Sequence, residues 1–413
     1  MPSISGRTAR HGQHRSLRRG LPILQIVFTV ALVAAITFVG ILWFRHRETT
    51  NANAAPPAAT SARQASNQPL TMPIGPPAAP VCSDDALTSM PIRDKLAQLL
   101  MVGVTGADDA QAVVANYHVG GIIIGSWTDL SMLGSLGEIT SAGTLPVAVG
   151  VDEEGGRVSR LSSLIGVAPS ARALAASSTP DEVYAQALAR GQAMRGLGIT
   201  VDFAPVVDVS DQPDDTVIGD RSFSDDPATV TEYAGAYARG LRDAGLLPVF
   251  KHFPGHGHGS GDSHTTSVVT PPLSQLVTND LVPYKTLLNE QPVAVMVGHM
   301  QVPDLTGGQP ASLSGAAYTL LRTGSYGGPP FGGPVFTDDL SSMRAISDRY
   351  GVAQAVLLAL QAGADIALWI TTAEVPAVLD RLEQAVNAGE LTSQAVDEKV
   401  LRATGFKGRN PQC

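Results

Sequence analysis

The run LPVFKH, residues 247–252, decides the fold class of this chain. Its first four residues are apolar without polar alternation, a pattern typical of a parallel strand that is covered on both faces. Two polar residues, Lys251 and His252, then end the run. Seven other runs have a similar apolar character, at residues 99–104, 120–125, 145–152, 200–209, 293–299, 334–339 and 364–369. The chain is therefore expected to contain eight buried strands.

Longer segments with helical character separate these runs, for example at residues 181–198, 227–245 and 350–363. The last two end at a glycine, as helices often do. Eight strand–helix repeats over roughly 320 residues predict an α/β fold, a (β/α)8 TIM-type barrel that forms a single domain. A doubly wound open sheet is the alternative, and the lack of a GxGxxG motif after any run disfavours it.

Polar side chains fall at the C-terminal ends of runs that are otherwise apolar. In a TIM barrel the active site is built at that end of the strands, so this distribution favours an enzyme site over isolated buried carboxylates. The residues concerned are Asp152, Lys251, His252, His299, Asp338 and Asp339.

The stretch KHFPGHGHGSGDSHTT, residues 251–266, holds four of the nine histidines of the chain. His256 and His258 supply two metal ligands at most, whereas zinc needs three or four, so no metal is expected. No Gly-Lys-Ser/Thr follows the glycines, which argues against a phosphate-binding loop. The glycines are interpreted as giving the loop mobility.

A third interpretation of this stretch is a proton-transfer site. Asp262 lies two residues before His264, close enough to orient the imidazole and stabilise its charge, which makes a histidine a good proton donor and acceptor near neutral pH. Asp338, at the end of another run, is a candidate nucleophile. An acid/base group together with a carboxylate nucleophile is the arrangement of a retaining glycosidase.

The same stretch resembles the signature of the β-N-acetylglucosaminidases of glycoside hydrolase family 3. Other segments resemble that family as well, and they occur in the family's order from the third strand to the seventh. These segments are DEEGGRVSRL (152–161), GITVDFAPVVDV (198–209), VIGDRSFSDDP (217–227) and VFTDDLSSM (335–343).

The resemblance implies a role for each matching residue. Asp338 matches the catalytic nucleophile, and Asp262 with His264 matches an Asp-His dyad that acts as the acid/base. Residues that hold N-acetylglucosamine match Asp152, Arg160, Arg221, Lys251 and His252. Cofactors and metals are not expected. Asp339 is a rival nucleophile, but neighbouring residues of a strand point to opposite sides, so one of the two acids should face the sugar.

The chain departs from the family pattern at two points. Ser341 and Ser342 stand between TDDL and Met343, where the family usually has a single residue. The added residue follows the expected nucleophile, so it puts the conformation of the next loop in doubt and not the chemistry. Larger family members carry a second domain after the barrel that often supplies the acid/base. This chain ends soon after its eighth repeat, so the Asp-x-His loop is expected to supply that group.

The N-terminal region is expected to lie outside the barrel. Residues 1–20 are basic, and residues 21–44 carry no charge over a length that spans a bilayer, which predicts a cytoplasmic N-terminus and a transmembrane signal anchor. A signal peptide cleaved near Ala54 is the alternative. Residues 45–81 are rich in Ala and Pro and are interpreted as a linker, which leaves residues 82–413 for the catalytic barrel outside the cytoplasm.

Two cysteines, Cys82 and Cys413, flank this domain. In an exported protein they are a candidate disulfide, and two free thiols are the alternative. Residues 1–47 hold seven arginines and no acid, so the remainder has 21 basic against 37 acidic residues and a net charge of −16. That acidity argues against nucleic acid as a partner.

The predicted function is hydrolysis of terminal N-acetylglucosamine from peptidoglycan fragments (GlcNAc–MurNAc) or other β-GlcNAc glycosides by a monomeric, membrane-anchored retaining enzyme. Three alternatives remain at this point. They are a β-glucosidase of the same family, a β-N-acetylglucosaminide phosphorylase, and a non-catalytic wall-binding protein.

Overall fold

The computed structural model describes Leu87 and residues 89–407. The expected cytoplasmic N-terminus, anchor and linker, residues 1–81, and both Cys82 and Cys413 lie outside the described residues. Within residues 89–407, no helix combines the length and the apolar character that crossing a bilayer requires.

The described part of the chain contains ten strands. Their bounds are β1 Leu100–Val104, β2 Gly121–Ile124, β3 Ala148–Val151, β4 Val201–Asp202, β5 Leu247–Phe253, β6 Val268–Val269, β7 Ala294–Val297, β8 Met300–Gln301, β9 Val335–Thr337 and β10 Ala367–Trp369. Each of the eight predicted runs overlaps one strand, and β5 extends one residue beyond its run. The two-residue strands β6 and β8, which pair with each other in parallel, are additional.

Eight strands form one parallel sheet in the order β10-β1-β2-β3-β4-β5-β7-β9. A parallel bridge between Phe336 and Ile366 connects the two ends of this order, and the N–H of Thr337 donates to the carbonyl of Ile366 at 3.0 Å. The sheet is therefore a nearly closed eight-stranded barrel, as predicted, and the open doubly wound sheet is excluded.

Helices surround the barrel. Those in the described residues are α1 Ile92–Ala97, α2 Ala107–Tyr117, α3 Leu136–Ser141, α4 Ser162–Ile165, α5 Ala171–Ser177, α6 Pro180–Gly196, α7 Pro227–Asp243, α8 Leu273–Leu276, α9 Val282–Leu287, α10 Gly315–Thr323, α11 Arg344–Ser347, α12 Val352–Ala362, α13 Val375–Asn387 and α14 Ser393–Gly405. Short 3₁₀ helices span Leu130–Ser135, Gly219–Arg221 and Ala311–Leu313.

Local sequence explains where the long helices begin. Thr179 and Glu182 form a capping box around the start of α6, with Pro180 in the first turn, and Asp226 accepts a hydrogen bond from the N–H of Thr229 at the start of α7. Such caps satisfy N–H groups that have no partner inside the helix. The segments predicted as helices at 181–198, 227–245 and 350–363 accordingly match α6, α7 and α12 within a few residues.

Aromatic side chains fill part of the barrel interior. The rings of Phe203 and Phe336 meet edge to face with their centroids 5.4 Å apart, and Phe406 approaches Phe336 at 6.3 Å. All strand residues of β1, β2 and β3 are buried. Both faces of the sheet are thus covered, which is why the strands lack polar alternation.

Strand β4 is much shorter than the apolar run at 200–209 that contains it. Pro205 has no N–H to donate to a neighbouring strand, so regular pairing does not continue through the run. Contact with β5 continues on both sides of Pro205, since the N–H of Val249 donates to the carbonyl of Ala204 at 3.0 Å and the N–H of Val207 donates to the carbonyl of Lys251 at 2.8 Å. Asp208 follows and is buried next to the end of β5.

Candidate active site

A cavity of about 410 Å³ lies at the C-terminal ends of the barrel strands. All the residues expected to act in catalysis or to hold the sugar line it, namely Asp152, Arg160, Arg221, Lys251, His252, Asp262, His264 and Asp338. Apolar side chains, including Ile123 and Met296, complete the wall. The structure therefore brings together residues from positions 152 to 338 that the sequence analysis assigned to one site.

Asp338 follows β9 directly and is half-buried. The N–H of Asp339 donates to Oδ1 of Asp338 at 2.9 Å. Burial raises the pKa of Asp338, but the rings of His299 and His252 and the N–H of Asp339 outweigh burial and hold this pKa at about 2. Asp338 is thus ionised near neutral pH, as a carboxylate nucleophile must be.

Asp339, the rival acid, uses its carboxylate in hydrogen bonds within its own turn. Ser341 donates to Oδ1 of Asp339 from its N–H at 2.8 Å and from its hydroxyl at 2.7 Å. Ser342 donates to Oδ2 from both groups as well. These four hydrogen bonds from Ser341 and Ser342 give Asp339 the role of fixing the turn after β9.

His299 fixes the same turn from the side of β7. Its Nε2 lies 2.8 Å from the carbonyl oxygen of Asp339, and its Nδ1 lies 2.7 Å from the hydroxyl of Ser312. A carbonyl oxygen can only accept, so Nε2 carries a proton and donates to it, while Nδ1 shares a hydrogen bond with the Ser312 hydroxyl. Burial lowers the pKa of His299, and the carboxylates of Asp338 and Asp339 act against that shift.

Asp262 and His264 form a hydrogen-bonded pair at the mouth of the cavity. Oδ1 of Asp262 lies 2.7 Å from Nδ1 of His264 and accepts from its N–H at 2.9 Å. Burial raises the pKa of Asp262, but the bonds from His264 outweigh burial and lower it. Because Nδ1 is used by the carboxylate, Nε2 is the ring atom left to exchange a proton with a bound molecule.

A dense charge cluster lies at the other side of the cavity. Nζ of Lys251 is 2.6 Å from Oδ1 of Asp152 and 2.6 Å from Oε1 of Glu154. Arg221 donates to both carboxylate oxygens of Glu154 at 2.8 Å. Burial raises the pKa of Glu154, but the charges of Arg221 and Lys251 outweigh burial and hold it well below its usual range.

Two arginines predicted to hold the sugar differ in their surroundings. Arg221 directs its guanidinium at Glu154 and donates to the carbonyl of Val217 at 2.9 Å, so its first task in this structure is to hold Glu154. Arg160, in contrast, has a buried Nε without a hydrogen-bond partner among the described residues. Arg160 is therefore an arginine of the cavity wall with a guanidinium donor that the described residues leave unused.

Buried Glu153 fixes the loop that carries Arg160. Its carboxylate accepts from the N–H groups of Arg160 and Leu161 at 2.7 Å each and lies 2.5 Å from Nη2 of Arg190. Of the three consecutive acids, residues 152–154, Asp152 and Glu154 share Lys251 as a partner, whereas Glu153 pairs with Arg190. Of these three acids, Asp152 alone was predicted from the sequence to belong to the site.

Asp208 is another residue that the sequence analysis missed. It is fully buried, and its Oδ2 lies 2.7 Å from Nδ1 of His252. Both Asp208 and Glu154 occur inside segments that carried the family resemblance. An acid inside such a segment was the signal that could have identified these residues. The sequence does not show, however, which basic side chain each acid contacts.

The histidines of the loop at 251–266 have separate partners. Nδ1 of His258 lies 2.9 Å from Oδ1 of Asp280, whereas Nε2 of His256 lies 3.5 Å from the hydroxyl of Ser263. In the part of the chain that the structure describes, no three His, Cys, Asp or Glu side chains are grouped to hold a metal ion.

The glycines of this loop have a packing role that the interpretation as mobile residues overlooked. A Cβ on Gly257 would lie 1.8 Å from the carbonyl oxygen of Val209, which no side chain can accommodate. Gly255 has φ +128° and would place a Cβ 2.5 Å from Cβ of Asp280. These two glycines allow the loop to pack closely against the barrel, so mobility is the wrong explanation for them.

Replacement of Glu154 by alanine is expected to lower the free energy of unfolding by about 3–5 kcal/mol, because it leaves two buried cations without their shared carboxylate. Urea unfolding followed by circular dichroism measures the change. Glu232→Ala, which removes an exposed glutamate from α7, serves as control and should stay within about 0.5 kcal/mol of the parent. Equal stability of the two variants would show that the cluster contributes nothing to folding.

The part of the chain that matches known proteins is the part that forms the barrel. Residues 91–405 match the model of the glycosyl hydrolase family 3 N-terminal domain. The chain is 70% identical over 325 residues to the β-hexosaminidase LpqI of Mycobacterium tuberculosis, a match that covers 78% of this chain and 84% of that protein.

Solved structures show the same likeness. A glycosyl hydrolase of the GH3 family from Mycobacterium smegmatis superposes with a TM-score of 0.78 at 72% identity, over 78% of this chain and 99% of that one. A family 3 β-N-acetylglucosaminidase from a Paenibacillus species superposes with a TM-score of 0.73 at 32% identity, over 78% of this chain and 63% of that one.

Proposed function

The chain belongs to glycosyl hydrolase family 3, and on that basis we propose that it is a retaining exo-β-N-acetylglucosaminidase acting on peptidoglycan fragments. The β-hexosaminidase name of the relative from M. tuberculosis supports the activity. The observation that carries the mechanism is the shared cavity, which holds an ionised carboxylate, Asp338, together with the Asp262–His264 pair.

In the first step, a carboxylate oxygen of Asp338 attacks the anomeric carbon of the terminal N-acetylglucosamine. The bond from that carbon to the glycosidic oxygen breaks, and Nε2 of protonated His264 gives its proton to the leaving oxygen. Asp262 stabilises the charged ring before the transfer. The product of this step is a glycosyl ester on Asp338 with inverted configuration.

In the second step, the neutral ring of His264 takes a proton from a water molecule. The water oxygen attacks the anomeric carbon, the ester bond breaks, and its electron pair returns to Asp338. Two inversions give net retention of the β configuration. The histidine ends the cycle protonated, as it began.

The charge cluster supplies groups that can hold the sugar. Asp152 is partly exposed and can accept from sugar hydroxyls, and the free donor of Arg160 can give a charge-assisted hydrogen bond. Lys251 and His252 are fixed by Glu154 and Asp208 respectively, so they need little reordering when a sugar binds. A preorganised site of this kind favours the transition state.

Product analysis on GlcNAc–MurNAc tests the proposal. We expect N-acetylglucosamine to be released from the non-reducing end and to appear first as the β anomer in a proton NMR time course. Release of the α anomer would contradict the retaining mechanism, and no turnover would favour a wall-binding protein. Adding phosphate separates hydrolysis from phosphorolysis, because a phosphorylase would form N-acetylglucosamine 1-phosphate.

We propose further that residues 21–44 anchor the catalytic domain outside the cytoplasm. The uncharged length of this segment supports the proposal, as do the five arginines before it and the two after it. The protein is expected to stay in the membrane fraction after a salt wash and to lose its catalytic domain to protease added outside the cell. A soluble form that begins near Ala55 would show instead that a signal peptide is cleaved.

A further inference from the structure

Ser263 lies between the two residues of the dyad and lines the same cavity, but it is much more deeply buried than they are. The side chains of Asp262 and His264 are 38% and 58% exposed, whereas Ser263 is 1% exposed. The loop therefore exposes its first and third residues at the cavity mouth, whereas the middle one lies deeper in the cavity wall. A serine gains nothing from burial unless its hydroxyl finds a partner.

The dyad turn is internally rigid. The N–H groups of Thr265 and Thr266 both donate to the carbonyl of Asp262 at 3.0 Å, and the carboxylate of Asp262 holds both the N–H and the ring of His264. Such a turn moves as a unit. Contacts outside the turn must therefore determine how far the imidazole reaches over the cavity.

Ser263 makes these outside contacts. Its hydroxyl lies 3.5 Å from Nε2 of His256, and its carbonyl accepts from the N–H of Ala345 at 3.2 Å. The carbonyl of His264 accepts from the N–H of Arg344 at 3.4 Å. Residues 344 and 345 begin α11, shortly after Asp338, so the turn is held against the segment that carries the nucleophile.

His256 is a buried partner with few other contacts. It is 3% exposed, and burial lowers its pKa to about 4, so the ring is neutral at the pH of the reaction. Among the described residues, its Nδ1 has no hydrogen-bond partner. The hydroxyl of Ser263, at 3.5 Å from Nε2, is the one side-chain hydrogen-bond partner of this ring among the described residues.

The carboxylate of Asp208 connects this contact to the sugar-binding side of the cavity. Oδ1 of Asp208 accepts from the N–H of His256 at 2.7 Å and from the N–H of His252 at 3.2 Å. Its Oδ2 holds the ring of His252. One buried carboxylate thus fixes both the residue expected to bind the sugar and the residue that contacts the dyad turn.

We propose that His256 and Ser263 are positioning residues, which hold the dyad turn so that His264 reaches the glycosidic oxygen above Asp338. The proposal rests on the acid/base role of the dyad in the proposed function. It assigns neither residue a part in proton transfer. Its consequence is that loss of either residue affects those substrates that need a proton on the leaving oxygen.

Ser263→Ala tests the proposal through the dependence on the leaving group. For an alkyl β-GlcNAc, kcat/KM is expected to fall about 10- to 100-fold, the size of effect that a misplacement near 1 Å produces. For dinitrophenyl β-GlcNAc, kcat/KM should change less than about two-fold, because this group leaves without a proton. Ser263→Thr, which keeps the hydroxyl, should recover most of the alkyl activity.

His256→Gln and the double variant complete the test. If the two residues act through one contact, the double variant should lose no more alkyl activity than the worse single variant. Thr266→Ala is the matched control, because Thr266 is exposed on the same loop and should leave both substrates unaffected. Since Ser263→Ala is a small change, its result stands even where His256→Gln does not fold.

Each outcome decides the proposal. An equal loss on both substrates, or full alkyl activity in Ser263→Ala, would overturn it, as would additive losses in the double variant. His264→Ala is run in parallel as the reference. If that variant shows leaving-group dependence and Ser263→Ala does not, the positioning role fails alone. If His264→Ala shows none, the proposed function fails and the positioning role falls with it.

Discussion

Replacing Asp338 with alanine is expected to reduce kcat/KM about 10⁴-fold or more on every β-GlcNAc substrate, whatever its leaving group. The carboxylate forms the glycosyl ester, so its loss removes the first step and leaves no intermediate for the second. Its low pKa and its position at the end of β9 support this role. Initial rates with aryl and alkyl substrates measure the effect.

Azide separates loss of the nucleophile from loss of the fold. In Asp338→Ala the missing carboxylate leaves space for a small anion, and azide that attacks from that side should restore turnover of a dinitrophenyl substrate. Because a single inversion occurs, the product should be the α-glycosyl azide. Asp348→Ala, at an exposed position after the same strand, should keep full activity.

Two results would contradict the assignment of Asp338. Substantial residual activity in Asp338→Ala would show that another group attacks the sugar, and a β-glycosyl azide would show attack from the wrong face. Asp339 is the obvious substitute by sequence. Its four hydrogen bonds from Ser341 and Ser342 argue against it, because a carboxylate held in that way has weak nucleophilicity.

The barrel could be predicted because burial on both faces leaves a simple pattern. Each long apolar run contains a strand, since helices cover one face of the sheet and the barrel interior covers the other. The apolar pattern does not show where the hydrogen-bonded pairing between neighbouring strands ends. Pro205 shortens β4 inside a ten-residue apolar run, and the two-residue strands β6 and β8 carry no periodicity at all.

The site was predicted where its geometry is local. Asp262 and His264 are two residues apart, so one turn brings them together, and Asp338 follows directly from the end of β9. Contacts between distant loops were not predictable. Arg221 lines the cavity, but its ion pair with Glu154, 67 positions away, was not predicted.

Ser263 illustrates the same limit within a single motif. Its neighbours in sequence define the dyad, but its own direction depends on His256 and on Ala345, which the sequence does not connect to it. The position of Trp127, which is 41% exposed at the cavity wall, was not predicted from the sequence either. Its ring packs against Gly125, because its atoms lie within 2.5 Å of the position that a Cβ on Gly125 would take.

Replacing His264 with alanine is expected to affect substrates according to their leaving group. A sugar or alkyl alcohol needs a proton as the glycosidic bond breaks, and loss of a general acid typically costs about 10²–10⁴-fold. For these substrates kcat/KM should fall by that factor. A dinitrophenolate leaves without protonation, so kcat/KM for that substrate, which reports the first step, should change little.

In His264→Ala the second step should slow for every substrate, because the imidazole that activates water in this step is missing. On dinitrophenyl β-GlcNAc the glycosyl-enzyme should accumulate, and a burst of dinitrophenolate equal to the enzyme concentration should precede a slow steady state. Stopped-flow absorbance measures the burst. Asp262→Ala should show the same behaviour in milder form, because it removes the group that orients the ring and leaves the ring itself.

An equal loss of kcat/KM on alkyl and dinitrophenyl substrates, without a burst, would refute the acid/base role of His264. The loop would then act in folding or in binding a ligand rather than in proton transfer. A matching loss when a chelator is added to the parent protein would favour a metal. The 2.7 Å contact between Asp262 and the ring argues for the opposite result, since a carboxylate on Nδ1 leaves Nε2 free for proton transfer and stabilises the imidazolium that delivers the proton.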